Sequence, residues 1–255
     1  MSSFSPGGPH ELGQNFLVDR KVIDSVYRSV AGTNGPIVEF APGGGAVTRP
    51  LARLGRPLTA IEIDRSRAER LDGSTPEHVT VVNDDLLSYR LPLRPHVVVS
   101  NVPFHLTTPL LRRLLAASHW HTAVLLVQWE VARRRAGVGG ASMMTASWWP
   151  WYEFDLHTRV PARAFRPVPA VDGGLITIRR REQPMVAARK PYQRFVREVF
   201  TGRGRGIRDI VARTSHVDRR KLDRWLCENA VSPRALPKDL TAVQWAALWR
   251  LARGR

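Results

Sequence analysis

Short apolar runs rich in β-branched residues recur along the chain at 37–40, 58–63, 79–82, 97–99, 123–127, 154–160 and 175–178. Between the first five lie segments with apolar positions at helical spacing, 47–54, 65–71 and 109–117. A further helical pattern over 20–31, with Val22, Ile23, Val26 and Val30 close to one face, precedes the first run. Strands alternating with helices imply right-handed crossovers and a mostly parallel sheet covered on both faces. The pattern therefore predicts an α/β fold with seven strands. The last two runs are joined by Pro161 to Pro169 without a helix-length segment, which suits an antiparallel strand at the end of the sheet.

After Arg179-Arg180-Arg181 the strand pattern stops, and 191–200, 218–227 and 241–252 each show one apolar face. The last opens with a capping box, Thr241 and Gln244, with Leu240 and Trp245 placed as a hydrophobic staple. The expected organisation is an N-terminal arm over 1–19, an α/β domain over 20–181 and a small C-terminal helical domain over 182–255.

Charge adds a partner to this picture. The 255 residues carry a formal net charge of +17, and residues 179–255 alone hold 20 basic and 7 acidic side chains. A near-neutral body with a strongly basic tail points to a polyanion such as RNA. Cys227 is the only cysteine, so no internal disulfide is possible, and a reducing, cytoplasmic location is expected with the thiol buried or half-buried. No run approaches the ~20 apolar residues of a membrane span. The eight His show no metal-ligand spacing, so no metal is expected. A monomer is expected.

Candidate chemistry gathers at the strand tips. Glu39-Phe40-Ala41-Pro42-Gly43-Gly44-Gly45 follows the first strand, where glycines let the backbone approach a ligand. Taken alone this is equally a tight turn. The second strand ends Glu62-Ile63-Asp64, where a doubly wound fold binds a ribose diol. The third ends Asn83-Asp84-Asp85-Leu86, where a carboxylate can accept a hydrogen bond from an adenine amine. The loop is not G-x-G-x-x-G, and acidic Glu39 argues against a pyrophosphate. An adenosine-shaped site without phosphates and with room for a cationic centre fits S-adenosylmethionine. The fourth strand ends Ser100-Asn101-Val102-Pro103-Phe104, an amide, a proline and an aromatic ring suited to holding a nucleobase amine.

The order Gln14-Asn15-Phe16-Leu17, Glu39 to Gly45, Glu62-x-Asp64, Asp85-Leu86-Leu87, Asn101-Val102-Pro103-Phe104 and Phe165-x-Pro167-x-Pro169 resembles the ribosomal RNA adenine N6-dimethyltransferases. Within them the chain is most similar to the erythromycin-resistance (Erm) 23S rRNA enzymes. The resemblance implies a seven-stranded, Rossmann-like class I methyltransferase sheet using S-adenosylmethionine. It implies that Gln14, Asn15, Phe16 and Leu17 close over the cofactor and that Glu39, Ala41, Gly43 and Gly45 line its methionine part. Glu62 and Ile63 then take the ribose side, and Asp84, Asp85 and Leu86 the adenine. Asn101 with Val102 and Pro103 holds the target N6, and Phe104 and Phe165 form aromatic walls for the extruded base. Ala41 stands where the family has glycine, so a positive φ there strains the backbone.

RNA phosphates are assigned to Arg133 and Arg134, in a segment resembling the family's Gln-x-Glu-x-Ala, and to Arg203, Arg205 and Arg208, read as a flexible basic turn. The Trp148, Trp149, Trp151 and Tyr152 group reads as core packing or a wall of an RNA cleft. Three alternatives compete with the 23S reading: a small-subunit (16S) rRNA dimethylase, a non-catalytic RNA-binding assembly factor, and a DNA adenine methyltransferase. Intact Glu62, Asp85, Asn101 and Phe104 disfavour the second, and the lack of a separate target-recognition segment disfavours the third.

Overall fold

The computed structural model describes residues 15–215 and 217–254. Nine strands and ten α-helices are formed among them. They run β1 (Phe16–Leu17), α1 (Arg20–Ala31), β2 (Ile37–Phe40), α2 (Thr48–Ala52), β3 (Leu58–Glu62), α3 (Arg65–Asp72), β4 (Val79–Asn83), β5 (His96–Asn101), α4 (Thr107–Ala116) and β6 (Trp120–Gln128). Then follow α5 (Trp129–Arg135), α6 (Met143–Trp148), β7 (Tyr152–Val160), β8 (Phe165–Arg166), β9 (Gly173–Arg180), α7 (Arg189–Thr201), α8 (Ile207–Thr214), α9 (Arg219–Glu228) and α10 (Ala242–Ala252).

The seven apolar runs form one sheet in the order β4-β3-β2-β5-β6-β9-β7. Pairing from β4 through β6 is parallel, so those strand ends share one edge. The chain leaves β2 toward β3 and returns on the other side through β5, and ligands bind beside such a reversal. Two short strands, β1 and β8, escape the sequence pattern and pair antiparallel with each other, Phe16 opposite Arg166 and Leu17 opposite Phe165.

Contacts divide the chain into two units, the described residues through Ala132 with Leu156–Ile178, and Arg133–Asp155 with the residues from Arg179 onward. Segment 133–155 thus groups with the tail rather than with the expected 20–181 domain. The physical reason is aromatic: Trp149 and Trp151 pack against the cluster of Tyr192, Phe195, Val196 and Trp245, and the Tyr192 hydroxyl donates to the Ala146 carbonyl at 2.9 Å. In the first unit Val22, Val26 and Val30 of α1 join Leu51, Leu58, Val97 and Val124 in the core, and the Asp19 side chain caps α1 by accepting from the Lys21 and Val22 amides. In the second, the capping box at α10 forms as expected, with Thr241 and Gln244 bonded reciprocally and Leu240 and Trp245 buried. The Cys227 thiol is exposed, where a buried or half-buried one was expected, because it lies on the outer face of α9, away from Leu222, Trp225 and Leu226.

No helix among the described residues is long and apolar enough to cross a membrane.

Candidate active site

The parallel strand ends carry the site. At the tip of β5 the buried Ser100 hydroxyl donates to the Phe40 carbonyl of β2 at 2.9 Å, and the Val102 amide donates to the Leu126 carbonyl of β6 at 3.0 Å. The backbone of Asn101 is thereby fixed from both sides. Its side-chain nitrogen donates to the Asn15 carbonyl at 2.8 Å, which leaves the carboxamide oxygen as the end available to a partner's N–H.

Asn15, Phe16, Ala41, Gly43, Glu62, Asn101 and Pro103 line one cavity of about 20 Å³. Seven of the residues expected at the site are therefore brought together. Gln14 lies outside the described residues. Leu17 and Leu86 are buried, Leu17 within the core under α1. Gly45 (φ 79°) faces Leu71 of α3, where a Cβ would come within 2.6 Å of it. These three shape the site from behind rather than lining the cavity.

The loop after β2 has the strained conformation that the alanine made a concern. Ala41 has φ 54°, in the left-handed region where L-residues cost about 1–2 kcal/mol. Gly43 has φ 56°, and a Cβ on it would lie 2.8 Å from the Phe16 ring, so a side chain there would push the arm away. The Arg67 guanidinium lies over the Phe16 ring, 4.8 Å from its centroid.

Two carboxylates define the electrostatics. Glu62 is buried, and its oxygens accept from the Gly43 amide at 2.9 Å and the Asp64 amide at 3.0 Å. A carboxylate has about four acceptor positions, so the same group retains capacity for ribose hydroxyls. Glu39 is 2 % exposed, and its Oε2 has no hydrogen-bond partner among the described residues. Burial pushes its carboxyl up to about 8, with the facing Thr48 hydroxyl opposing and Glu62 adding to the rise. The Thr48 hydroxyl does not complete a well-formed hydrogen bond to it. An orphaned acidic group beneath the loop suits a cationic ligand and disfavours an anionic one. At the tip of β4, Asp84 Oδ1 accepts from the Asp85 amide at 2.7 Å and Asp85 Oδ1 from the Leu87 amide at 2.8 Å. Ile63 is 54 % exposed beside Glu62 in the chain, an apolar surface for a flat ring.

This donor set fits S-adenosylmethionine. Asn15 and Phe16 of the arm border the cavity and would lie against the cofactor's edge.

The aromatic pair is asymmetric. Phe104 and Phe165 meet edge to face, centroids 6.1 Å apart at 72°. Phe165 is wholly buried, and a Cβ on Gly173 would lie 3.1 Å from its ring. Half-buried Phe104 is the ring with a face to offer, and Phe165 backs it. Arg113 carries no mark of function in the sequence. It donates to the Leu86 carbonyl and lies 5.6 Å from the Phe40 ring, bracing the Asp85 turn. One of two adjacent arginines on a helix gives no signal of that.

The five arginines assigned to RNA lie in the second unit. Arg134, Arg203 and Arg205 are exposed and Arg133 is half-buried. Arg208 differs from the flexible turn expected: it sits in the first turn of α8 and forks onto Asp223 at 2.5 and 2.8 Å. Three apolar side chains, Ile207, Ile210 and Val211, are buried and fold that segment into a helix. Among the described residues no group of three or more His, Cys, Asp or Glu is placed to hold a metal ion.

The ribosomal RNA adenine dimethylase family model matches residues 9–248. The chain is 52% identical over 250 residues to the mycinamicin-resistance protein MyrB of Micromonospora griseorubida, covering 97% of this chain and 80% of that one. It is 54% identical over 209 residues to an rRNA adenine N-6-methyltransferase of Corynebacterium diphtheriae, covering 81% and 83%. The crystal structure of the 23S rRNA methyltransferase ErmE superposes with a TM-score of 0.87 at 32% identity, covering 94% of this chain and 100% of that one.

Proposed function

Because the chain belongs to the ribosomal RNA adenine dimethylase family, whose enzymes use S-adenosylmethionine, we propose that it transfers methyl groups to N6 of one adenine in 23S rRNA. The modification confers resistance to macrolide-type antibiotics. The observation that carries the choice of 23S over 16S is the likeness, over nearly the whole chain, to a mycinamicin-resistance protein. The enzyme acts as a monomer in the cytoplasm, and the basic helices from residue 182 onward supply sequence-independent affinity for RNA phosphates.

Adenine N6 is a weak nucleophile because its lone pair is delocalised into the ring. The Asn101 carboxamide, oriented by its bond to Asn15, accepts one amine hydrogen and draws the nitrogen toward a pyramidal geometry. Neutral Asn does not act as a base. The proton becomes acidic only as the N–C bond forms, so positioning and electrostatics carry the rate. Bound S-adenosylmethionine supplies an electrophilic methyl on a sulfonium. Glu62 and Asp85 would hold its ribose and adenine, and its positive charge would draw the raised Glu39 carboxyl toward ionisation. Val102 and Pro103 set the turn that presents Asn101. Phe104 stacks on the extruded base at roughly 1–3 kcal/mol, offsetting an extrusion cost of a few kcal/mol.

The test is transfer of labelled methyl to protein-free 23S rRNA and to 30S particles. Label in 23S alone is expected. Label confined to 30S would replace this reading with the small-subunit one, and cofactor binding without transfer to any RNA would favour an assembly factor.

A further inference from the structure

Phe16 separates two cavities. One is the small cavity beside Asn101. The other, of about 530 Å³, is bounded by Phe16, Gly43, Arg49, Arg67, Arg70 and Ser74. Three guanidinium groups border it, and among the described residues no carboxylate lines it. Arg49 is exposed and donates to the Gly44 carbonyl at 2.7 Å. Arg70 is exposed and donates to the Ser66 hydroxyl. Arg67 is stacked on Phe16 and lies 3.8 Å from Asp64.

Like charges held around one concavity raise its affinity for an anion. S-adenosylmethionine carries a single carboxylate and no phosphate, so three arginines exceed what it needs. Guanidinium forks match the oxygens of a phosphate diester. The cavity adjoins the one that contains Asn101, since Phe16 and Gly43 border both.

We propose that the cavity formed by Arg49, Arg67 and Arg70 binds a phosphodiester of the RNA strand that delivers the target adenine. The site rests on the reading that RNA is the substrate. It places an RNA-binding position on α2 and α3, in addition to the basic tail. A phosphate held there draws the Arg67 fork while Phe16 stays beneath it, so the strand is anchored at the rim of the cofactor cavity.

The test uses the full chain with Arg70→Glu and, separately, Arg49→Gln. Both residues are exposed, so the fold is retained, as thermal melting verifies. RNA affinity is titrated against salt on a 23S hairpin and on an unrelated single-stranded RNA, because binding through phosphates is independent of sequence. Each variant should bind both RNAs about tenfold more weakly. The slope of log K against log salt should become shallower by about 0.7 for each phosphate that the variant no longer neutralises. S-adenosylmethionine affinity measured without RNA should not change for Arg70→Glu. Unchanged RNA affinity and slope would overturn the proposal. So would loss of cofactor affinity without RNA, which would make the cavity a carboxylate site of the cofactor. A wild type that leaves 23S unmethylated would contradict the proposed function instead, and the slopes on unrelated RNA would still decide this cavity.

Discussion

The side-chain nitrogen of Asn101 donates to the backbone carbonyl of Asn15 at 2.8 Å, 86 residues away in sequence. The bond ties the residue proposed to hold the target amine to the arm that borders the same cavity. Asn101→Asp keeps an acceptor but loses this donor and sets a carboxylate against a carbonyl. We expect kcat to fall about 10–100-fold, consistent with roughly 1–3 kcal/mol for a frustrated buried polar group. Steady-state kinetics measures it, and an unchanged kcat would show that the bond does not orient the amide.

Glu39 makes stability depend on pH. Its folded carboxyl is pushed from 4.5 to about 8 by burial, so ionisation is disfavoured in the folded state. Below about pH 4.5 the carboxyl is protonated in both states and imposes no penalty. As pH rises toward 8 the unfolded chain ionises first, and stability falls by up to about 5 kcal/mol, an upper bound. Glu39→Gln should therefore stabilise the cofactor-free protein, by more at pH 8 than at pH 5. Denaturant melts at the two pH values measure the difference, and a gain independent of pH would contradict it.

Ala41 holds φ 54° without the freedom of glycine. Ala41→Gly should stabilise the protein by about 1 kcal/mol and raise Tm by about 2–4 °C. An unchanged or lower Tm would mean that the loop relaxes the strain in solution.

Phe104 offers a stacking face and Phe165 supports it. Phe104→Ala should raise KM for RNA about 10–100-fold while leaving S-adenosylmethionine affinity intact, and Phe104→Tyr should restore most of the loss. Phe165→Ala should instead lower thermal stability by roughly 3–5 kcal/mol, as for a buried ring. Calorimetry distinguishes the two, and equal melting of both variants would remove the asymmetry.

These residues also show what was legible in the chain. The central strands β2 and β5 are buried almost throughout and read as short apolar runs, because a strand covered on both faces needs one, whereas β7 alternates with polar residues. Glu62 and Asn101 were legible since each closes its strand, and Asp85 since it follows the end of β4 by two residues. By contrast β1 and β8 are two residues long, and no period can be read in Phe16-Leu17 or Phe165-Arg166. Helix α8 was hidden by the glycines and arginines that precede Ile207. Phe165 was read as a wall when its ring is buried, since sequence does not distinguish an aromatic that meets a ligand from one that supports another ring. The bond from Asn101 to Asn15 is accepted by a backbone carbonyl, which leaves no trace in residue type. The arginine cavity is assembled from α2, α3 and the arm, three segments with no common spacing.

The most direct measurement of the central claim maps the methylated nucleotide in 23S rRNA after reaction with the wild type and with Asn101→Ala. Primer extension with mass spectrometry of the excised nucleoside should show N6-methylated adenosine at one position with the wild type. Asn101→Ala should give none while it still binds S-adenosylmethionine. Methylation at another atom or base, or an undiminished yield from Asn101→Ala, would contradict the account.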